Sequence, residues 1–439
     1  MSRPATTILD VYSTCHPERP LEPGDPRYVD LREVRGGEHL AANISRRIRT
    51  TDHPNYHQHL ITGHRGCGKS TELKHIQGHL EDNELFCVYF DAEDMLDVND
   101  IEYLDVLLTI ARVVHERLEE EGISLPEEQL QHLDDWFADV ILTETEYEER
   151  ETALRSEFGV DVNTILLRFL VAATGVLRSG GAQRREVRKR VQRELNVFLQ
   201  RLNDLLTLAQ REIVKTGYEG LVVIVDGLEK VPYRSLGDGQ SNHSRFFVQH
   251  AEALKKPNCH ILYTVPISLK MNQNLGDAFP ADNVIPMVTI EPRGKRQLRA
   301  VVEKRVSVPD VFEEEADVDR LVDISGGSLR DLLRVIRFAC DGADETIGSG
   351  EVDRAIQKLV RQYDYQLQTD DLDALVEVET AGRLPSTEAS SRLLHQRIVL
   401  EYFDAQGRRR HAIHPAVRRI DIVQQALADT ANSSSETDD

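Results

Sequence analysis

The sequence predicts an α/β fold, a doubly wound parallel sheet covered by helices, and three stretches carry that prediction. The first is the apolar run Leu60-Ile61-Thr62, which passes through Gly63-His64-Arg65-Gly66-Cys67-Gly68-Lys69-Ser70 into a helical pattern beginning at Thr71. The second is Leu221-Val222-Val223-Ile224-Val225-Asp226, a run of apolar β-formers ending in a carboxylate, as a strand buried on both faces requires. The third is His260-Ile-Leu-Tyr-Thr264-Val-Pro266.

Taken in chain order, residues 1–27 carry Pro4, Pro17, Pro20, Pro23 and Pro26 and predict an irregular lead-in. Tyr28–Leu31 and a helix over Glu38–Arg49 precede a first strand at His57–Thr62. The loop after it reads GxxxxGKS, a P-loop. Its glycines let successive backbone N–H groups point inward, and the helix that follows presents its positive N-terminus. Lys69 is placed to reach the β- and γ-phosphates and Ser70 to ligate Mg²⁺, so residues Gly63 to Thr71 are the expected nucleotide cradle and ATP with Mg²⁺ the expected ligands. In P-loop ATPases a lead-in of this kind often covers the adenine.

A second strand is expected at Leu85–Phe90, ending at Asp91-Ala-Glu93-Asp94. The next core strand arrives only at 221, far beyond an ordinary crossover, so a helical insert is expected over about 100–218. Helical periodicity runs through Ile101–Glu121, through 127–157 and through 186–214. In the last of these Val191, Leu195, Phe198, Leu202, Leu205 and Ala209 alternate three and four apart, a seam that needs an apolar partner in this chain or another. The helix opens with Arg184, Arg185, Arg188, Lys189, Arg190 and Arg193, which suit a solvated face, nucleic acid, an acidic partner or a membrane surface.

Asp226 at a strand end is placed beside a bound Mg²⁺, and Glu229 beyond it is a candidate to orient or deprotonate the attacking water. A Gly/Ser-rich stretch, Ser235–Ser244, leads to a helix at about 245–255 and the strand ending near Thr264, a candidate to face the γ-phosphate. A final core strand is expected at Asn283–Ile290 and a helical lid from about Lys295. In the lid, Ser325-Gly326-Gly327-Ser328-Leu329-Arg330 opens a helix with Arg330 in its first turn, where a cation opposes the helix dipole and wants an anion.

Residues 371–427 give two helical runs, then Arg392–Phe403, a turn Asp404–Gly407 and a return strand Arg408–His414, the order of a winged helix. Arg408, Arg409 and Arg410, with Arg418 and Arg419, suit phosphate contacts to DNA and equally an acidic protein surface. The tail from Thr430 is expected to be disordered.

A formal charge of −22 argues against generalised adhesion to nucleic acid or anionic membranes. Cys15, Cys67, Cys87, Cys259 and Cys340 have no paired spacing, so neither a zinc site nor a disulfide framework is indicated and a reducing, cytoplasmic setting is expected. The most apolar stretch, Ile165–Leu177, is interrupted by Arg168 and is shorter than the roughly 20 residues of a membrane span, which predicts a buried or interfacial helix.

The order GHRGCGKS, VVIVDGLEK, a strand ending TVP, GGSLRDLLR and a winged helix resembles the AAA+ and STAND superfamily of P-loop ATPases over residues 28–427. The DGLEK form is more similar to STAND and prokaryotic conflict-system ATPases than to protein-remodelling motors. The resemblance implies that Asp226 binds Mg²⁺, Glu229 is the catalytic acid, Thr264 is sensor one and Arg330 is sensor two. It also implies a histidine of the winged helix holding the ADP state, for which His414 stands in place, although a structural histidine at a strand end is the weightier reading. Between Pro266 and Asn283, where motors place an arginine finger, there is no arginine, and Arg245 and Arg293 are the weak substitutes. The expected domains are a lead-in 1–27, a P-loop ATPase core 28–292, a lid 293–370, a winged helix 371–427 and a tail 428–439. The expected activity is ATP binding with slow hydrolysis to ADP, switching assembly as a homo-oligomer or a separately encoded effector, in antiviral defence among other settings. The competing expectation is a DNA-binding AAA+ initiator or transposition ATPase that uses the basic wing.

Overall fold

The computed structural model describes residues 3–51, 54–126, 129–130, 133, 136–137, 165–237, 240–404 and 406–435. Strands β1 (Gln58–Gly63), β2 (Leu85–Asp91) and β3 (Gly220–Asp226) are followed by a short hairpin, β4 (Ser235–Gly237) and β5 (Gln240–Ser241). Two further strands, β6 (His260–Pro266) and β7 (Ala281–Val284), complete a five-stranded sheet of order β2-β3-β6-β1-β7, parallel throughout. Every residue of β1 and β3 is buried, which is why β3 reads as a near-continuous apolar run rather than an alternating one, while β1 buries Gln58, His59 and Thr62 beside its apolar pair Leu60-Ile61. This is the α/β sheet of a P-loop NTPase, with β1 and β3 on either side of β6 and their carboxyl ends at one edge, where such sheets bind ligands.

The insert helices Tyr103–Glu120, Ile165–Ser179, Gly181–Arg193 and Leu195–Lys215 share a core with Phe86, Val88, Val223 and Val225 on one sheet face. Val191, Phe198, Leu202, Leu205 and Ala209 are fully buried in that core, so the seam finds its partner within this chain. Two expectations need correction here. The 186–214 pattern is two helices, because the backbone breaks at Glu194 (φ −111°, ψ 31°), whose carboxylate accepts from Trp136 Nε1 at 3.1 Å. The basic opening is in part internal: Arg184 and Arg188 are buried and meet Asp97, Asp100 and Asp105, with Arg188 to Asp105 at 2.5 Å. The expected helix over 127–157 falls mainly outside the described residues. The apolar helix at 165–179 is buried as expected, and among the described residues no helix is long and apolar enough to cross a membrane.

The lid comprises helices Pro292–Glu303, Glu315–Ile324, Leu329–Cys340 and Ser349–Asp364. Helices Leu372–Ala381 and Glu388–His395 then lead into an antiparallel hairpin, β8 (Val399–Phe403) with β9 (Arg409–Ile413), and a last helix Asp421–Ser435. Lid and C-terminal unit bury one common apolar cluster, including Leu332, Ile336, Leu359, Leu393 and Val399, so they are not packed as separate bodies.

Three boundary expectations differ from the structure. The lead-in is not wholly irregular: Thr7 caps a helix Ile8–Thr14 that buries Val11 and Cys15 with the lid, its apolar i, i+3, i+4, i+7 spacing obscured by the prolines that follow. The last core strand is shorter and earlier, at 281–284. Beyond it Ile285 N–H still donates to Thr62 O at 2.7 Å, but Met287 N–H donates to Glu401 O at 3.3 Å, so the chain leaves the sheet to meet the C-terminal hairpin. The last helix, anchored by buried Val423, continues to Ser435, past the expected start of a disordered tail.

Candidate active site

The loop between β1 and helix Lys69–Glu81 turns through Gly66 (φ +86°) and Gly68 (φ +96°), backbone that side-chain-bearing residues rarely adopt. Gly66 has a second reason to lack a side chain, since a Cβ there would lie 2.6 Å from Cβ of Arg330. The lid thus rests directly on the loop, and Arg330 N–H donates to Gly66 O at 3.1 Å.

Lys69 is buried at the base of this loop, and its Nζ donates to the carbonyls of Gly63 and His64 at 3.0 Å each. It also pairs with Glu229 at 3.2 Å. Glu229 reaches it from the tight turn Leu228–Lys230 after β3, and its second oxygen is buried without a hydrogen-bond partner. Burial pushes the Glu229 carboxyl up, but Lys69 together with the hydrogen bonds of the turn and Thr264 holds it below the usual range, so it stands as a carboxylate.

Asp226, fully buried at the end of β3, accepts from Gly227 N–H and from the Tyr89 hydroxyl, both at 2.7 Å, and is hydrogen-bonded by Ser70. Burial raises its carboxyl above the ordinary range, Glu229 adds to that, and Ser70 and Tyr89 partly offset it. A buried acid raised to about 6 beside a serine hydroxyl is a pair whose charged form a divalent cation would stabilise, and Mg²⁺ is usually held by one or two carboxylates together with substrate phosphates. Ser70 and Asp226 therefore fit Mg²⁺; among the described residues no cluster of three or more His, Cys, Asp or Glu could hold a metal by itself.

Thr264 is buried at the end of β6, and its hydroxyl accepts from Leu228 N–H at 3.1 Å while hydrogen-bonding Glu229. Its visible action is to fix the turn that carries Glu229. Above the loop lies a cleft of about 130 Å³ lined by Gly66, Gly68, Lys69, Ser70, Thr71 and Glu229 on one side and the lid residues Val301, Leu329 and Leu333 on another. The lead-in closes it with Pro20, Leu21, Tyr28, Val29 and Leu31, and Leu21 N–H donates to Thr71 Oγ1 at 3.2 Å. These apolar groups form the wall expected to cover a base.

The structure brings Lys69, Ser70, Asp226, Glu229 and Thr264 together and sets Arg330 at the cleft's lid side. Arg330 pairs with Glu18 of the lead-in at 2.7 Å, not with Asp331. His64 and Arg65 of the loop point elsewhere. The buried His64 ring contacts Leu394 O through Nδ1 at 3.1 Å and accepts from Glu401 N–H through Nε2 at 2.7 Å, while Arg65 lines a neighbouring chamber. His414 has the surroundings of the structural histidine that is the weightier reading: it is buried against Asp331 at 3.6 Å and stacked on Tyr363 at 4.3 Å, outside the cleft lining. Arg245 and Arg293 are exposed and do not line the cleft either.

Glu18, Tyr89 and Arg35 were not legible as site residues. Arg35 bonds the carbonyl of Cys67 and pairs with Glu72 at 3.2 Å, bracing the loop from the lead-in. A lone arginine or glutamate in a proline-rich stretch carries no pattern; only the alternation of β2 hinted that Tyr89 faces the acid at the neighbouring strand's end.

No family model and no curated protein matches the chain. Among solved structures it is similar to the Walker-type ATPase of Pyrococcus abyssi, at 14% identity and TM-score 0.39, over 94% of this chain and 99% of that one. It is also similar to Cdc6p from Pyrobaculum aerophilum, at 12% identity and TM-score 0.39 over 95% and 98%. The ORC2 protein of Aeropyrum pernix follows at 12% and 0.37 over 90% and 94%. At that level of similarity the fold rests on this chain's own sheet order and loop.

Proposed function

We infer that the chain is an ATP-dependent molecular switch of the AAA+/STAND kind. ATP with Mg²⁺ binds between the loop and the lid; the metal supplies charge neutralisation of the phosphates. Lys69 exchanges its loop carbonyls for phosphate oxygens, Ser70 and Asp226 hold the metal, and Glu229 orients and deprotonates water. Thr264 keeps Glu229 in register, and Arg330 reports on the terminal phosphate. The observation that carries this reading is that the phosphate loop is bonded both to the lid, through Gly66 O and Arg330 N–H, and to the C-terminal unit, through His64. A change in the loop therefore has two direct routes outward, the form a ligand-driven switch takes.

Nothing else in the described residues supplies a second catalytic centre, and the output is assigned to assembly with other copies or to a separately encoded effector, antiviral defence being one such setting. The DNA-binding alternative is weaker on the arrangement of the wing: Arg408 pairs with Asp404 at 2.7 Å, Arg409 with Glu401 at 3.7 Å and Arg418 with Glu379. The reading is tested by calorimetry with ATP and Mg²⁺, and by mass measurement with ADP, with a slow ATP analogue and without nucleotide. Absence of binding removes the function; binding with one unchanged mass and no co-purifying protein removes the switch.

A further inference from the structure

Beside the nucleotide cleft lies a second chamber of about 520 Å³, whose lining includes Arg65, Arg330, Arg334 and Arg397. It meets the cleft only through Glu18, Lys230 and Arg330, and contains neither Lys69, Ser70 nor any glycine of the loop. Four guanidinium groups from three parts of the chain, the loop, the lid and the C-terminal unit, thus face one space. They repel one another: Arg397, Arg65 and Arg334 each disfavour the charge on the already desolvated Arg330.

The counter-charges are few. Arg397 is taken by buried Asp331 at 2.9 Å, and its φ of +63° is the left-handed turn that ends the helix Glu388–His395, where Ile398 N–H donates to Leu393 O. Arg330 and Arg334 share the Glu18 carboxylate, at 2.7 and 3.6 Å, Arg334 also lying 3.8 Å from Asp331, and the other carboxylate of the lining, Glu93, is taken by Lys230 at 2.7 Å. Arg65 has no ion pair among the described residues, and the Nε atoms of Arg65 and Arg330 are buried without a hydrogen-bond partner. Unmet buried N–H groups on arginines are costly, and a tetrahedral oxyanion supplies acceptors in the directions that a single carboxylate leaves open.

We propose that this chamber binds a phosphate ion separate from the nucleotide, entering by displacing the Glu18 carboxylate from Arg330 and Arg334. Glu18 stands in for two of its oxygens. Because the chamber touches the loop through Arg65, the lid through Arg330 and Arg334, and the C-terminal unit through Arg397, phosphate there ties all three together. The site would hold product phosphate beside ADP, and its departure, not bond cleavage, would free the lid. This deepens the switch reading and rests on it.

Phosphate is titrated calorimetrically into the full chain, nucleotide-free, loaded with ADP and Mg²⁺, and loaded with a non-hydrolysable ATP analogue, against chloride at equal ionic strength. The expected result is phosphate binding in all three states, weaker with the analogue because Arg330 is shared with its terminal phosphate, and in each state weakened about tenfold or more by Arg334→Gln and strengthened by a similar factor by Glu18→Gln, as charge-assisted hydrogen bonds are lost or uncovered. Opposite signs from the two variants are not expected of damage to packing. No phosphate heat in any state overturns the proposal while leaving nucleotide binding intact. Binding that vanishes with the analogue overturns it too, because the nucleotide's own terminal phosphate then fills the chamber. Failure of ADP to bind overturns the switch reading, and the nucleotide-free titration still decides the chamber.

Discussion

His64, the second residue of the phosphate loop, accepts the backbone N–H of Glu401 through Nε2 at 2.7 Å. Its other ring nitrogen meets the carbonyl of Leu394 at 3.1 Å. A ring nitrogen facing a carbonyl carries the proton and one facing an N–H does not, so the tautomer is set by the C-terminal unit. One neutral imidazole thereby joins the glycine loop to the C-terminal unit, some 330 residues on.

His64→Phe keeps the ring and leaves a buried N–H and a carbonyl unmet, so it should lower unfolding stability by about 1–3 kcal/mol. Its sharper effect should be on coupling. Nucleotide should still bind, yet cease to slow amide exchange in β8 and β9, which hydrogen-exchange mass spectrometry reads directly.

Lys69→Ala should abolish nucleotide affinity and also strand Glu229 without its partner, whereas Glu229→Gln keeps shape and removes the base. The second variant should bind ATP normally and lose turnover by roughly 10²–10⁴-fold. Phosphate-release assays beside equilibrium binding separate the two, and full turnover in Glu229→Gln would move the base elsewhere.

Asp226→Asn should weaken nucleotide binding with Mg²⁺ far more than without it, since the carboxylate's charge is directed at the bound cation. Titrations with Mg²⁺ and with a chelator provide the comparison. Equal weakening in both would assign Asp226 to the hydrogen bonds of Gly227 and Tyr89 alone.

Acid should destabilise the fold through its buried histidines. Burial pushes His64 down to about 3 and His57 and His243 to about 4. A depressed native value means the unfolded chain takes up protons first as pH falls below about 6.5, so stability is full above that pH, declines towards pH 4 and levels off below. Each such histidine contributes a slope of about 1.4 kcal/mol per pH unit in that window. Urea midpoints at pH 7.5 and pH 5 should differ accordingly; a flat profile would mean these rings are already charged or exposed.

Gly327 (φ +80°), between the second and third lid helices, lets the lid close on the chain behind it: a Cβ there would lie 1.7 Å from Val288 O, in the segment that has left the sheet. Gly327→Ala should therefore loosen lid and hairpin together, lowering the thermal midpoint while leaving isolated loop geometry intact. Nucleotide affinity measured below that midpoint should fall less than stability does.

Local chemistry was written in the chain. A glycine-rich loop between strand and helix, an acid ending an apolar strand, a threonine ending the next, and a seam at helical spacing each state their need within a few neighbouring residues. So the three central strands, the glycine loop, the acid and threonine at the strand ends and the buried insert were legible from residues 57–71, 221–229, 260–266 and 191–209. Only the tertiary structure decided what meets across distance: Glu18 on Arg330, His64 on Glu401, Arg188 on Asp105, and arginines of three segments around one chamber. The physical reason is that a charge or ring nitrogen names the kind of partner it requires but not its position. Long-range pairing is selected by how the apolar cores of sheet, lid and hairpin close on one another, and no short stretch of sequence contains that packing.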